Sequence, residues 1–235
     1  MEIFSYLMAT GISTGALYAL VALGIVVIYK ATNVVNFAHG EMFMMGGFFA
    51  YTFHIMLGLP YIPSLILAVI GTFALGILTD RIAFRPLMAR QTLVSVLLAM
   101  VAMSFILKGV ARELWGGKGD YLPFPPIVSP QPIMFGNIMI MSQQVVVLGA
   151  AICIMIIFGL FFRYTRIGKF MQATADNPKA AKLVGLRTEQ IYMYTFGLGS
   201  AVAGAAAVLM APLTLLYPDI GFSLFIKGFA AAVLG

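Results

Sequence analysis

The stretch from Phe4 to Tyr29 contains no charged residue. A membrane-crossing helix needs about 20 predominantly apolar residues, so this single run constrains the fold more than any other feature. It is long for a cleaved leader and lacks a basic leading region, since Glu2 is the only early charge. Further runs follow. Val34 to Leu57 is a second candidate span, interrupted by Glu41; Tyr61 to Thr79 is a third. Thr92 to Ala111 is a fourth, with Lys108 placed to snorkel from its end. Gln143 to Phe162 is a fifth, and Ile191 to Leu216 a sixth without charge. A seventh run begins near Phe222.

Composition explains why these runs must meet lipid. Hydrophobic residues make up 62% of the 235 and charged residues 9%. A soluble domain carries about 25% charge, and one of ~250 residues still exposes roughly a quarter of its extended surface. Water cannot cover so much apolar surface. A secreted globular domain, a cytosolic enzyme and a disordered chain are therefore excluded. The single Cys153 excludes a disulfide framework or a cysteine-built metal site within the chain.

Only helices and closed barrels satisfy their backbone in lipid. The runs are long and continuous rather than alternating ten-residue strands, which selects helices. The expected fold is all-α: a polytopic transmembrane helical bundle of six full spans plus an incomplete seventh, forming one domain over residues 1–235. The link from Arg112 to Ser142 holds Trp115 and prolines 123, 125, 126, 130 and 132, and reads as an ordered loop. Within it, Ile133 to Ile140 suits a small hairpin turning at Gly136-Asn137.

Ten of the fourteen basic residues fall on one set of links: Lys30; Arg81, Arg85 and Arg90; and Arg163, Arg166, Lys169, Lys179, Lys182 and Arg187. Lys108, Arg112 and Lys118 fall on the other side, and Lys227 lies in the seventh run. By the positive-inside rule the first side is cytoplasmic, which makes the N-terminus and the 112–142 loop external. The net charge of +6 is thus a topology signal rather than a sign of nucleic-acid binding.

Small residues let helix backbones approach closely in lipid. Gly11 and Gly15 form a GxxxG pair. Gly197 with Ala201, Gly199 with Ala203, and Ser200 with Gly204 repeat the spacing in the sixth span. All are expected at helix contacts.

Two polar segments stand out. Asn33 to Glu41 is the most polar run within an apolar region, with Asn36, His39, Gly40 and Glu41 as its notable members. A charge at the centre of a span costs about 2.5–3.5 kcal/mol, so Glu41 needs a partner, a proton or water. A break at Gly40 would let His39 and Glu41 both face the interior. The segment is either a pathway element or a hydrogen-bonded corner. With His54 about four turns away, a metal site is not expected. The second segment is 163–190, the longest cytoplasmic link. Within it, Asn177 to Gly185 reads as a short helix. Asn177 caps it, Pro178 takes the first position, and Gly185 ends it in a left-handed conformation. Ala180, Ala181, Leu183 and Val184 give it an apolar surface. Docking into a groove on a soluble partner and lying on anionic lipid both fit this composition. A second short helix is expected around Lys169 to Thr174. There is no phosphate-binding GxxxxGK[ST] loop, and no catalytic set converges.

Four segments together, Asn36–Met44, Arg81–Leu87, Asn177–Gly185 and Lys227–Gly235, resemble bacterial permease subunits of branched-chain amino acid ABC transporters. The resemblance runs from the first span to the last residue. It implies a multi-pass protein of the bacterial cytoplasmic membrane that is itself no enzyme and binds no cofactor. It also implies a second permease subunit, two cytoplasmic ATPases that use ATP and Mg, and an extracytoplasmic solute-binding protein. Leucine, isoleucine and valine are the implied cargo; related permeases carry urea and short amides. Asn177–Gly185 matches the family's coupling segment, so Ala180, Ala181 and Gly185 would meet an ATPase groove. Family members continue beyond the equivalent of Leu234-Gly235, and the seventh run here is cut after about fourteen residues, too few to span. The chain is therefore expected to be truncated at its C-terminus. Two other readings remain for the residues alone. One is an ion-coupled carrier or channel using Glu41 and His39, in which paired broken helices are expected. The other is a non-transporting membrane scaffold.

Overall fold

The computed structural model describes residues 2–88, 93–116, 121–129, 131–135 and 138–234. The first run folds as α1 (Glu2–Thr32), the longest helix. It stops at Asn33, whose φ of 54° is a left-handed conformation. Thr32 Oγ donates to the Ile28 carbonyl and accepts from the Val34 amide, so polar groups at the helix end are satisfied locally.

The chain then turns through Asn36 into α2 (His39–Tyr51), which continues as a π-helical turn over Thr52–Met56. This second span starts later than the apolar run suggested. The break lies at Asn33 to Ala38, and Gly40 sits inside the helix. Next is α3 (Tyr61–Thr79), followed by a π-helical turn over Asp80–Phe84 and α4 (Arg85–Met88). These three form one continuous helix, longer than the third apolar run. Then come α5 (Leu93–Trp115), the strands β1 (Pro132–Phe135) and β2 (Ile138–Met141), and α6 (Ser142–Tyr164). The strands pair antiparallel with Phe135 opposite Ile138; the turn expected at Gly136-Asn137 lies outside the described residues. Arg112 to Trp115 belong to α5 rather than to the loop. The remaining elements are α7 (Arg166–Asp176), α8 (Pro178–Leu183), α9 (Thr188–Met210) and α10 (Ile220–Leu234).

Among the described residues five helices are long and apolar enough to cross a membrane: Tyr6–Thr32, Tyr61–Met88, Val94–Trp115, Ser142–Tyr164 and Thr188–Leu213. The sixth expected span is the shorter, mostly buried α2, and α10 is a shorter apolar helix. The protein is thus a helical membrane bundle that carries a small two-stranded hairpin.

The helix α9 is the axis of the bundle. It packs against α1, α2 and α3, and small residues set the distances. Gly197 lies against the Phe73 ring of α3. Gly199 lies against Ile28 and the Gly24 carbonyl of α1. Gly204 lies against Thr72 of α3 and Gly46 of α2, and Ala203 is fully buried. A Cβ on any of these glycines would collide with a neighbour. Gly11 and Gly15 differ: nothing in the described chain comes within 4 Å of where their Cβ would stand. Among the described residues no neighbour packs closely on these two glycines.

The described residues between α5 and α6, with the end of α5, are pinned at several points. The indole N–H of Trp115 donates to Thr52 Oγ at 2.9 Å, and its ring stacks on Phe48. Leu122 and Leu216 exchange backbone hydrogen bonds. Gln143 Oε accepts from the amides of Ile127 and Val128.

Candidate functional site

Asn36, the first polar residue of the α1–α2 corner, is buried, and its Oδ1 accepts from the Ala38 amide at 3.0 Å. The Asn36 carbonyl accepts from the His39 amide. These two bonds form the turn that launches α2. His39 then packs on α1: a Cβ on Gly24 would stand 2.7 Å from its ring. No hydrogen bond of standard geometry reaches either ring nitrogen among the described residues; the Val21 backbone faces the ring. Among the described residues no hydrogen bond joins His39 to Glu41.

Gly40 has a different role from the expected break. A side chain there would run into the Gly221 backbone, and a side chain on Gly221 would run into Gly40. Gly221 is the second residue of α10, so the first turns of α2 and α10 meet backbone to backbone. The sequence showed one broken segment; the structure has two helix starts in contact.

Each start carries an acid. Glu41 is in the first turn of α2, and Asp219 immediately precedes α10. Helix N-termini carry positive partial charge, which favours acids at both places. Between them lies Lys108 of α5. Its Nζ is 3.5 Å from Glu41 Oε1 and 3.6 Å from Asp219 Oδ1. Asp219 Oδ2 in turn accepts from Arg112 Nη2 at 2.9 Å. The four residues form a ladder of alternating sign: Glu41, Lys108, Asp219, Arg112. Lys108 is thus held between acids rather than snorkelling. Its ammonium also lies over the Phe222 ring at 5.2 Å. Both bridging distances exceed the roughly 2.7–2.9 Å of a good charge-assisted hydrogen bond, so its capacity to donate is not saturated.

Exposure changes along the ladder. The Glu41 side chain is 1% exposed and Lys108 15%, whereas Asp219 and Arg112 reach 55% and 60%. A cavity of about 530 Å³ opens at the exposed end, lined by Arg112, Gly116, Tyr121, Tyr217, Pro218 and Asp219. The Tyr121 and Tyr217 rings stand 5.3 Å apart beside it.

The opposite end of the bundle holds α7 and α8. Thr165 caps α7 by accepting from the Gly168 amide. Asn177 caps α8, its Oδ1 accepting from the amides of Lys179 and Ala180 at 3.1 and 3.0 Å, with Pro178 in the first turn. At the other end Gly185 has φ 87° and donates to the Lys182 carbonyl, while Leu186 donates to Ala181. That pair of bonds is a Schellman closure, which needs a residue tolerant of the left-handed region. Ala181 is buried, where α8 packs against α7 and α9. The expectation that Ala181 meets a partner groove is therefore wrong for this structure. Leu183 and Val184, 88% and 77% exposed, are presented outward, and Ala180 is exposed as well.

Asp80 and Arg85 were not singled out in the sequence as a pair. Asp80 is fully buried, and Arg85 Nη2 donates to its carboxylate at 2.9 Å and to the Glu189 carbonyl at 3.1 Å. The π-helical turn between them brings together residues five apart, which a regular α-helix would point in different directions. Arg85 so ties the end of α3 to the first turn of α9, next to the α8 loop.

The sequence pattern described as "Branched-chain amino acid transport system / permease component" matches residues 7–235. The chain belongs to the branched-chain amino acid transport permease family. It is 32% identical to the high-affinity branched-chain amino acid transport system permease protein BraD of Pseudomonas aeruginosa, over all of this chain and 80% of that protein. It is 31% identical to the permease protein LivH of Salmonella typhimurium, over 97% of this chain and 77% of that one. The probable permease protein LivH of Methanocaldococcus jannaschii is 28% identical over 93% and 70%. No solved structure matches the chain. As a permease of this LIV type, the protein is a multi-pass transporter component of amino acid transport, and these relatives are permease proteins.

Proposed function

We propose that the chain is one permease subunit of an ATP-driven importer for leucine, isoleucine and valine in the bacterial cytoplasmic membrane. Family membership over residues 7–235 is the observation that carries this reading. In it the 163–190 link faces the cytoplasm and the cavity at Asp219 faces outward, as the basic residues favour.

A second permease subunit completes the pore, two ATPases bind ATP and Mg below, and a solute-binding protein delivers cargo from outside. The α8 loop supports ATPase docking because it is a rigid, doubly capped unit with Leu183 and Val184 exposed among Lys179, Lys182 and Arg187. ATP-driven movement at α8 reaches the bundle through α7, α9 and the Arg85 bond to Glu189. The pathway then alternates its opening between the two sides.

The test is uptake of labelled leucine into proteoliposomes holding the permease pair and ATPases, with binding protein outside. ATP-dependent leucine accumulation that survives collapse of the proton gradient is the expected result. Accumulation that follows the proton gradient without ATP would favour the ion-coupled carrier. Uptake of urea or amides in place of leucine would change the cargo but keep the machine.

A further inference from the structure

We propose that the Arg112–Asp219 pair and its cavity form an entry-side binding site for a free zwitterionic amino acid, a reading that rests on the proposed importer function. Three observations lead there.

First, the face is not built for lipid. Arg112 and Asp219 are more than half exposed, and charges inside an apolar bundle face water, a cavity or each other rather than hydrocarbon. Phe222, 52% exposed, lies on the same face beneath Lys108. Charge and aromatic surface together suit a water-filled vestibule.

Second, the charges have the arrangement of the ligand. A free amino acid carries a carboxylate and an ammonium a few ångströms apart. Arg112 presents a planar donor fork suited to a carboxylate. Asp219 pairs with an ammonium, as its ion pair with Lys108 at 3.6 Å already shows. The solute carboxylate takes the place of Asp219 at Arg112, and its ammonium takes the place of Lys108 at Asp219. Every charge keeps an opposite partner and the net charge of the site is unchanged. The Tyr121 and Tyr217 rings, tilted 52° to each other, provide aromatic surface for an aliphatic side chain beside a cavity of about 530 Å³.

Third, the ladder holds a reserve position. Glu41 is buried, no hydrogen bond of standard geometry reaches its carboxylate among the described residues, and it is faced by the Ser104 side chain and by Lys108 at 3.5 Å. Lys108, released from Asp219 by the incoming ammonium, closes on Glu41. Because Gly40 and Gly221 fix the two helix starts against each other, that closure is felt where α2 meets α10. Amino acid binding outside is in this way connected to the buried centre.

The experiment uses the complete permease–ATPase complex in lipid nanodiscs without binding protein. Binding of labelled leucine is measured in competition with 4-methylpentanoate, which lacks the ammonium, 3-methylbutylamine, which lacks the carboxylate, and urea. Leucine is expected to bind and each single-charge analogue to compete about tenfold or more weakly, since either leaves Arg112 or Asp219 without its ligand partner. Arg112→Gln and Asp219→Asn should each weaken leucine binding by about tenfold, and the exchange of both, Arg112→Asp with Asp219→Arg, should recover much of it. If the variants fail to assemble, the analogue competition on the native complex still decides.

Equal competition by either analogue overturns the site. So does unchanged leucine binding in both assembled single variants. A complex that imports leucine with binding protein yet binds none alone overturns the site and leaves the importer standing; the same holds if Arg112→Gln alters only binding-protein affinity. A complex that imports no branched-chain amino acid but binds another zwitterion through Arg112 and Asp219 removes the cargo assignment and keeps the site.

Discussion

The two ends of this permease break opposite rules. At the α2–α10 contact, charges are buried inside an apolar bundle: Glu41 is 1% exposed. At the α8 loop, an apolar residue stands in the open among charges: Leu183 is 88% exposed. A buried charge is tolerated only with compensation, and here each acid has a helix start and Lys108. An exposed apolar residue on a rigidly capped helix has no internal reason to be there and points to a partner. The contrast separates residues that hold the fold from residues that meet something else, and substitutions can test it.

The largest effect is expected at Lys108. Lys108→Met leaves Glu41 buried without a counter-charge, which costs about 3–5 kcal/mol. Thermal unfolding of the purified complex in detergent should show a large loss of stability. Adding Glu41→Gln to Lys108→Met should restore most of it, because the orphaned charge is gone. A double variant as unstable as Lys108→Met alone would mean that Lys108 acts by packing on Phe222 rather than by pairing.

An intermediate effect is expected where the loop behaves like the core. Ala181→Asp places a charge in the contact of α8 with α7 and α9, and should cost on the order of 2–3 kcal/mol of local order. Asn177→Ala removes the acceptor for two amides and should cost about 1 kcal/mol. Hydrogen exchange over residues 166–190 reads both, as faster exchange in α8 with α1, α2 and α9 unchanged. Exchange that stays slow in Ala181→Asp would contradict its burial and return it to the docking surface.

How far the sequence carried these distinctions depends on distance along the chain. Uncharged runs announced the helices because lipid demands them locally. The caps of α8 were equally local, since Asn177, Pro178 and Gly185 act on their own backbone. Small residues of α9 were legible because that helix is buried along most of its length from Thr195 to Met210. The same GxxxG signal at Gly11 and Gly15 found no neighbour within 4 Å among the described residues, since spacing reports a capacity for contact and not a partner. Lys108 read as a snorkelling end because its partners lie at positions 41 and 219, and nothing local announces a pair so far apart. Gly40 read as a break because glycine and polarity both suggest one; only the approach of Gly221 shows the other use. The π-helical turn hid Asp80 and Arg85 by shifting the helical register. Which face of a six-residue helix is buried was equally hidden, and Ala181 was misplaced for that reason.

The smallest effect on the fold is expected at Leu183 and Val184, and there the comparison is sharpest. Both side chains project from α8, so Leu183→Ser with Val184→Ser should change thermal stability of the isolated permease pair by no more than about 0.5 kcal/mol. The Schellman closure depends on the backbone of Ala181, Lys182, Gly185 and Leu186 and is left intact. Co-purification of the ATPases should nevertheless fall, with ATP-driven uptake falling in step. Lys108→Met is the mirror case, with stability lost first and docking affected only as the fold fails. If the serine variant retains full ATPase binding, the exposed apolar pair serves another surface, and the anionic lipid around Lys179 and Lys182 becomes the occupant to test by vesicle binding.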